Sequence, residues 1–291
     1  MGSEPMVTSP RTRIALSAAC ATALALATPI IEASPASAAD TITAADQPYF
    51  AYYHLDQARA KGYTGKGVTV AIIDGKVDTS ANELNGATVT DKTPCTVTVT
   101  PESTGHGTGT ASILVARDYG VVPDATLLAY QTDAGDANPG SDCTGIGGIN
   151  LVGYPSLINH AINDGAQIIN LSAGSSDHSN ELRWAIARAI HRGILITGSA
   201  GNEARDANNK HLGWWSGVVG VSAVDQNGAF ASYSSWGQGV TTAAVGGPVI
   251  TRDYPSNAFV ETYGTSSSAP IVAGFLALAR QKWPDATANQ L

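Results

Sequence analysis

Residues 67–74 read GVTVAIID, a run of aliphatic and β-branched residues that ends in a single acid. A continuous apolar run of this length is the pattern of a strand buried on both faces. It returns as ATLLAYQT (125–132), QIINLSAG (167–174), ILITGSAGN (194–202) and GVVGVSAV (217–224). Helical segments lie between these runs. GHGTGTASILVARDYG (105–120) reads as a glycine-rich turn feeding a helix, and VGYPSLINHAINDGA (152–166) as a helix with a glycine stop. NELRWAIARAIHRG (180–193) is amphipathic, with Gly193 as its cap. Strands alternating with helices predict an α/β fold, a mostly parallel central sheet with helices on both faces in three α/β/α layers. Ligand sites in such sheets lie beyond the carboxyl ends of the strands, where Asp74 and Asn202 stand.

The stretch YGTSSSAPIVAGFLALAR (263–280) sets four hydroxyl residues, Thr265 to Ser268, against an apolar run. Ser and Thr are common helix N-caps and proline is tolerated in a first helical turn. The segment alone therefore predicts a capped, buried helix with Pro270 near its start. A nucleophilic serine needs more: a base to take its proton, a carboxylate to orient that base, and donors for an oxyanion. The chain offers one residue for each role: Asp74 at the end of its strand, His106 in STGHGTGTAS, Asn202 at the end of ITGSAGN, and Ser266 in GTSSSAP. Each has a plainer reading alone, as a turn aspartate, a structural histidine beside glycines, a turn asparagine or a cap. The ordered set is what is specific.

On these residues the sequence resembles the subtilases, the subtilisin-type serine proteases, over about residues 55 to 285. TGKGVTVAIIDGKVDTSANELNG is similar to the family's aspartate segment and GHGTGTAS to its histidine segment, matching the catalytic residues at Asp74 and His106. TGSAGNEA resembles the oxyanion segment, matched at Asn202, and GTSSSAP the nucleophile segment, matched at Ser266. IINLSAG resembles the edge strand that binds substrate backbone, matched at Ser172, Ala173 and Gly174. The resemblance implies a subtilisin-like fold and a secreted serine endopeptidase of the actinobacterial type, with protein or peptide substrates.

Three features depart from the family pattern. The family follows its aspartate with a hydroxyl residue and then glycine, whereas here Gly75 and Lys76 follow Asp74. A Lys76 turned inward would compete with His106 for Asp74. Gly109 replaces a second histidine, which implies a local packing change. No inhibitory pro-domain is evident ahead of AYYHLDQARAKGYTGKG, a feature similar to the mycosins of type VII secretion. Mycosins typically end in a membrane helix, whereas this sequence ends in PDATANQL, which reads as a helix start cut short. Two further functions stay open on these grounds: a mycosin-like processing protease, and a catalytically impaired homologue that binds peptides.

Composition agrees with one large domain: 43% of residues are hydrophobic and 14% charged, enough for a sizeable core. A net charge of -8 excludes a general nucleic-acid binder. Arg11 and Arg13 precede IALSAACATALALATPII and then ASPASAAD, the pattern of a secretory signal cut near Ala38 or Ala39. The expected organisation is a signal over 1–39, a short extension over 40–54 and a peptidase domain over 55–291. After signal removal the chain is expected to be extracellular, monomeric and without a membrane span. Two cysteines then remain, Cys95 and Cys143, and an exported chain predicts one disulfide between them, with two free thiols as the alternative. No metal ligand set and no cofactor is expected; calcium, common in relatives, stays open as an alternative, with no clear carboxylate cluster to mark a site.

Overall fold

Strand β1 (Thr69–Asp74) divides its side chains in strict alternation: Val70 and Ile72 enter one apolar cluster, Ala71 and Ile73 the other. A strand's side chains have a period of two, so a fully apolar run must be covered on both faces. The structure is a computed structural model and describes residues 41–134, 137–172, 174, 177–206 and 211–291. The expected signal segment and Ala173 lie outside the described residues.

In chain order, helices α1 (Pro48–Tyr52) and α2 (Leu55–Ala60) precede β1. Strands β2 (Thr88–Asp91) and β3 (Val97–Thr98), helix α3 (Pro101–Val115), strands β4 (Thr126–Gln131) and β5 (Asn138–Pro139) and helix α4 (Tyr154–Asn163) follow it. Next come β6 (Ile168–Leu171), α5 (Asn180–His191), β7 (Leu195–Ser199), β8 (Val218–Val224) and β9 (Val240–Val245). A hairpin of β10 (Val249–Arg252) and β11 (Phe259–Thr262) leads into α6 (Thr265–Lys282). Among the described residues seven strands form one sheet in the order β2-β4-β1-β6-β7-β8-β9, and every neighbouring pair is parallel. Helices α3 and α6 pack on one face, α4 and α5 on the other, which gives the three expected layers.

The strand order reverses at β1, with β2 and β4 on one side and β6 to β9 on the other. Crevices that bind ligands open beyond the carboxyl ends of the strands at such a reversal. The registers Asp74–Gln131, Ile73–Leu171 and Leu171–Gly198 bring the ends of β4, β1, β6 and β7 to one level. Each large aliphatic side chain fully buried beside them, such as Ile72, contributes about 1.5–3 kcal/mol.

Several expectations change. Residues 105–109 are not a turn feeding a helix: α3 starts at Pro101, capped by Thr100, whose side chain accepts from Ser103 N at 3.2 Å. A threonine cap followed by proline at the first helical position outweighs the helix-weakening glycines behind it. Helix α6 is capped by Gly264 and not by a hydroxyl, so Thr265 to Ser268 form its first turn. Pro270 lies inside α6, where it removes the N–H that would reach back to the Ser266 carbonyl. Strand β6 lies in the middle of the sheet, between β1 and β7, and is not an edge strand. Residues 41–54, read as an extension, pack into the same unit, with Ile42 and Tyr49 buried in the core.

Candidate active site

Asp74 closes β1 with its side chain 1% exposed, and its Oδ1 lies 2.6 Å from His106 Nδ1. The N–H of Gly75 donates to the same oxygen at 2.6 Å. His106 is the sixth residue of α3 and keeps 39% of its side chain open to the cleft. Two glycines permit this approach. A methyl on Gly107 would lie 2.5 Å from the Gly75 carbonyl and 2.6 Å from that of Lys76, so helix backbone rests directly on the chain leaving β1. A methyl on Gly75 would collide with the Ser103 carbonyl and lie 2.5 Å from Ser103 Oγ. Ser103 thus fills the space that a side chain at position 75 would take, and Asp74 Oδ2 has no hydrogen-bond partner among the described residues.

The charge of Asp74 raises His106 above the ordinary imidazole value; burial opposes this, and the Asp74 hydrogen bond and Glu102 add to it. Lys76 does not turn inward. It is exposed, and its charge acts on Asp78, whose carboxyl stays below the usual range. Burial alone would raise Asp78; hydrogen bonds from Ser80 and Tyr254, with the Lys76 charge, outweigh it.

At the start of α6, Thr265, Ser267 and Ser268 are buried, whereas Ser266 is half-buried and lines the cleft with His106. Ser266 Oγ makes no hydrogen bond to His106 among the described residues. Such contacts commonly tighten only when substrate is bound. Asn202 follows β7, and its Oδ1 accepts from Thr265 N at 2.8 Å and from Thr265 Oγ1 at 3.0 Å. With the oxygen so engaged, Nδ2 is the end left to face the cleft. A methyl on Gly264 would lie 3.0 Å from Ser266 Oγ and 3.1 Å from Asn202 Nδ2, so the two polar atoms flank one small space. Thr265 Oγ1 also accepts from Gly201 N at 3.1 Å, so one hydroxyl ties both neighbours of the bend. Sequence reading missed Thr265; its place next to the serine in a hydroxyl row was the only signal.

Ser172 is 3% exposed, with Asn170 Nδ2 donating to its hydroxyl and Ser199 Oγ to its carbonyl. Of the described pair, Gly174 is the one open to an extended peptide. Both line a cleft of about 400 Å³ together with Asp74, His106, Asn202 and Ser266. The same cleft contains a pair the sequence did not suggest. His211 Nε2 lies 2.9 Å from Glu203 Oε2, which also accepts from Ser235 Oγ at 3.1 Å. Burial would raise Glu203, but His211 and Ser235 outweigh it and hold the carboxyl below the usual range. On the other side of His106 and Ser266 the β10–β11 hairpin walls a second cavity, which also takes in Gly109. A methyl on Gly109 would lie 3.1 Å from the Thr251 methyl, a tight contact that any side chain at this position would have to push back.

Cys95 and Cys143 form a disulfide across 48 residues, as expected for an exported chain. Among the described residues no group of three or more His, Cys, Asp or Glu side chains could hold a metal. Among the same residues no helix is long and apolar enough to cross a membrane.

Fold and cleft together define the class of subtilisin-like serine endopeptidases. Residues 65–291 match the Subtilase family, and the chain belongs to that family. The Thermostable alkaline protease of Halalkalibacterium halodurans is 34% identical over 247 residues, which cover 82% of this chain and 64% of that protein. The chain therefore spans just under two thirds of that relative's length. Subtilisin DY of Bacillus licheniformis is 31% identical over 247 residues, covering 81% of this chain and 85% of its own. Among solved structures, the MycP3 protease from the type VII (ESX-3) secretion system shares the fold, with a TM-score of 0.67 at 24% identity over 86% of this chain and 81% of that one.

Proposed function

We infer that the protein is exported and hydrolyses peptide bonds through Ser266, His106 and Asp74. The observation that carries this reading is the 2.6 Å pairing of Asp74 with His106, beside a row of hydroxyls of which Ser266 alone is not buried. Ser266 Oγ attacks the scissile carbonyl carbon while His106 Nε2 takes its proton. Asp74 accepts from Nδ1–H, which fixes the tautomer and stabilises the imidazolium. The carbonyl oxygen, now an oxyanion, receives hydrogen bonds from Asn202 Nδ2 and from the Ser266 N–H, one of the first-turn donors of α6 that has no acceptor in the helix. His106 returns the proton to the leaving amine and an acyl-Ser266 ester remains. Water, deprotonated by His106, cleaves that ester and restores the serine. An extended substrate pairs with the backbone at Gly174, an added strand with little demand on its sequence.

Export is supported by the signal pattern ahead of residue 40 and by the disulfide. Labelling with a fluorophosphonate tests the mechanism. Folded wild type is expected to carry the label on Ser266 and to cleave a peptide library, and Ser266→Ala to do neither. Folded wild type that stays unlabelled would overturn the reading in favour of a peptide-binding homologue.

A further inference from the structure

The His211 ring bridges the gap between the segments that leave β6 and β7. A methyl on Gly174 would lie 3.4 Å from His211 Nδ1 and 3.6 Å from Cε1. On the opposite side, a methyl on Gly201 would collide with His211 Nε2, and it would lie 2.6 Å from Cε1 and 2.5 Å from Glu203 Oε2. Gly201 also has φ +99°, a conformation that side chains rarely adopt, so glycine is required there twice over. The ring is thus held between two glycines, one in each wall. Its side chain is 11% exposed, and Glu203 and Ser235 fix it in place.

A peptide whose carbonyl rests at Asn202 sets the side chain of that same residue beside the loop of Asn202 itself, between Gly174 and Gly201. The leaving group lies on the other side, next to His106, which must protonate it. The acyl-side pocket is therefore the gap that His211 spans. We propose that His211, braced by Glu203, is the specificity-determining residue of this enzyme: it closes the acyl-side pocket, so that the residue before the scissile bond is glycine, alanine or serine. This rests on the hydrolase function proposed above. A long aliphatic, aromatic or cationic side chain finds the imidazole in its place, and the ring swings away only by giving up its 2.9 Å contact with Glu203.

The test uses peptide p-nitroanilides that differ only in the residue before the scissile bond: Ala, Leu, Phe or Lys. Wild type is expected to show kcat/KM for Ala at least about tenfold above the other three, a ratio of the size that pocket fit supplies. His211→Gly should raise the Phe and Leu substrates about tenfold or more relative to Ala. Glu203→Gln keeps a hydrogen bond to the ring without the charge and should keep the Ala preference. If His211→Gly fails to take the fluorophosphonate label, His211→Ala replaces it. A wild type that labels on Ser266 but prefers Phe, Leu or Lys would overturn the pocket inference alone, as would an unchanged preference in labelled His211→Gly. A wild type that neither labels nor cleaves removes the hydrolase reading, and this inference with it.

Discussion

Thr265 gives Asn202 two hydrogen bonds at one oxygen, from its backbone N–H at 2.8 Å and from its hydroxyl at 3.0 Å. That double contact decides which end of the amide faces the cleft. Thr265→Val keeps the shape and removes the hydroxyl, and it also strips Gly201 N of its acceptor. The expected result is a fall in kcat of about five- to thirtyfold with KM little changed, from loss of about 1–2 kcal/mol of orientation. Steady-state kinetics on one peptide substrate, beside the Asn202→Ala variant, check this; a change confined to KM would refute it.

In the proposed mechanism the Asp74–His106 pair sets the pH response. His106 is raised above the ordinary imidazole value, and only the neutral ring can accept the Ser266 proton. The acid limb of kcat/KM is therefore expected above about pH 6.5. Asp74→Asn should move that limb down and lower kcat on the order of 10⁴-fold, the size seen for the equivalent change in another serine protease. The sign for stability follows from the same shift. The charged pair stabilises the fold in full below the ordinary imidazole value, and its contribution is lost as pH rises through the raised one. Melting curves across that window should show a loss in wild type that Asp74→Asn lacks.

Gly75→Ser introduces the hydroxyl residue that subtilases place after the aspartate, yet here it is expected to do harm. Its Cβ would meet the Ser103 carbonyl and Ser103 Oγ, so α3 must shift away from β1. Overpacking of this kind costs about 1–3 kcal/mol, and any shift of α3 lengthens the Asp74–His106 contact. Lys76→Gly is the contrast: Lys76 is exposed, so activity should stay within about twofold. Chemical denaturation and kcat/KM of both variants decide the matter.

The disulfide closes a 48-residue separation that spans α3 and the short β3–β5 ladder. Replacing both cysteines by serine is expected to cost about 2–5 kcal/mol in denaturant unfolding. The acid limb should not move, because neither sulfur lines the cleft. A shifted limb would mean that the bridge positions the catalytic groups.

The layered fold was legible because a fully buried parallel strand must be apolar on both faces. GVTVAIID and its relatives along the chain carry that requirement in their composition. Asp74, His106, Asn202 and Ser266 were legible as an ordered set at strand ends and helix starts. The start of α3 was not, because glycines at 105, 107 and 109 look like a turn until Thr100 and Pro101 are seen to cap and open the helix. Nor was the fate of the hydroxyl row. Thr265, Ser267 and Ser268 are turned into the protein by α6, and the choice among four neighbouring hydroxyls is one of helical phase against the sheet.

The sequence by itself therefore determined the α/β class and the candidate residue types of the site, and it pointed to the Cys95–Cys143 pairing that the structure contains. Only the tertiary structure decided that Ser103 occupies the space denied to residue 75, that Thr265 holds Asn202, and that His211 spans Gly174 and Gly201. These contacts join residues 10 to 63 positions apart along the chain. Apolar patterning is a local property of the chain and can be read along it. Contacts of a few ångströms between distant segments depend on how helices and strand ends are set against one another, which no local pattern records.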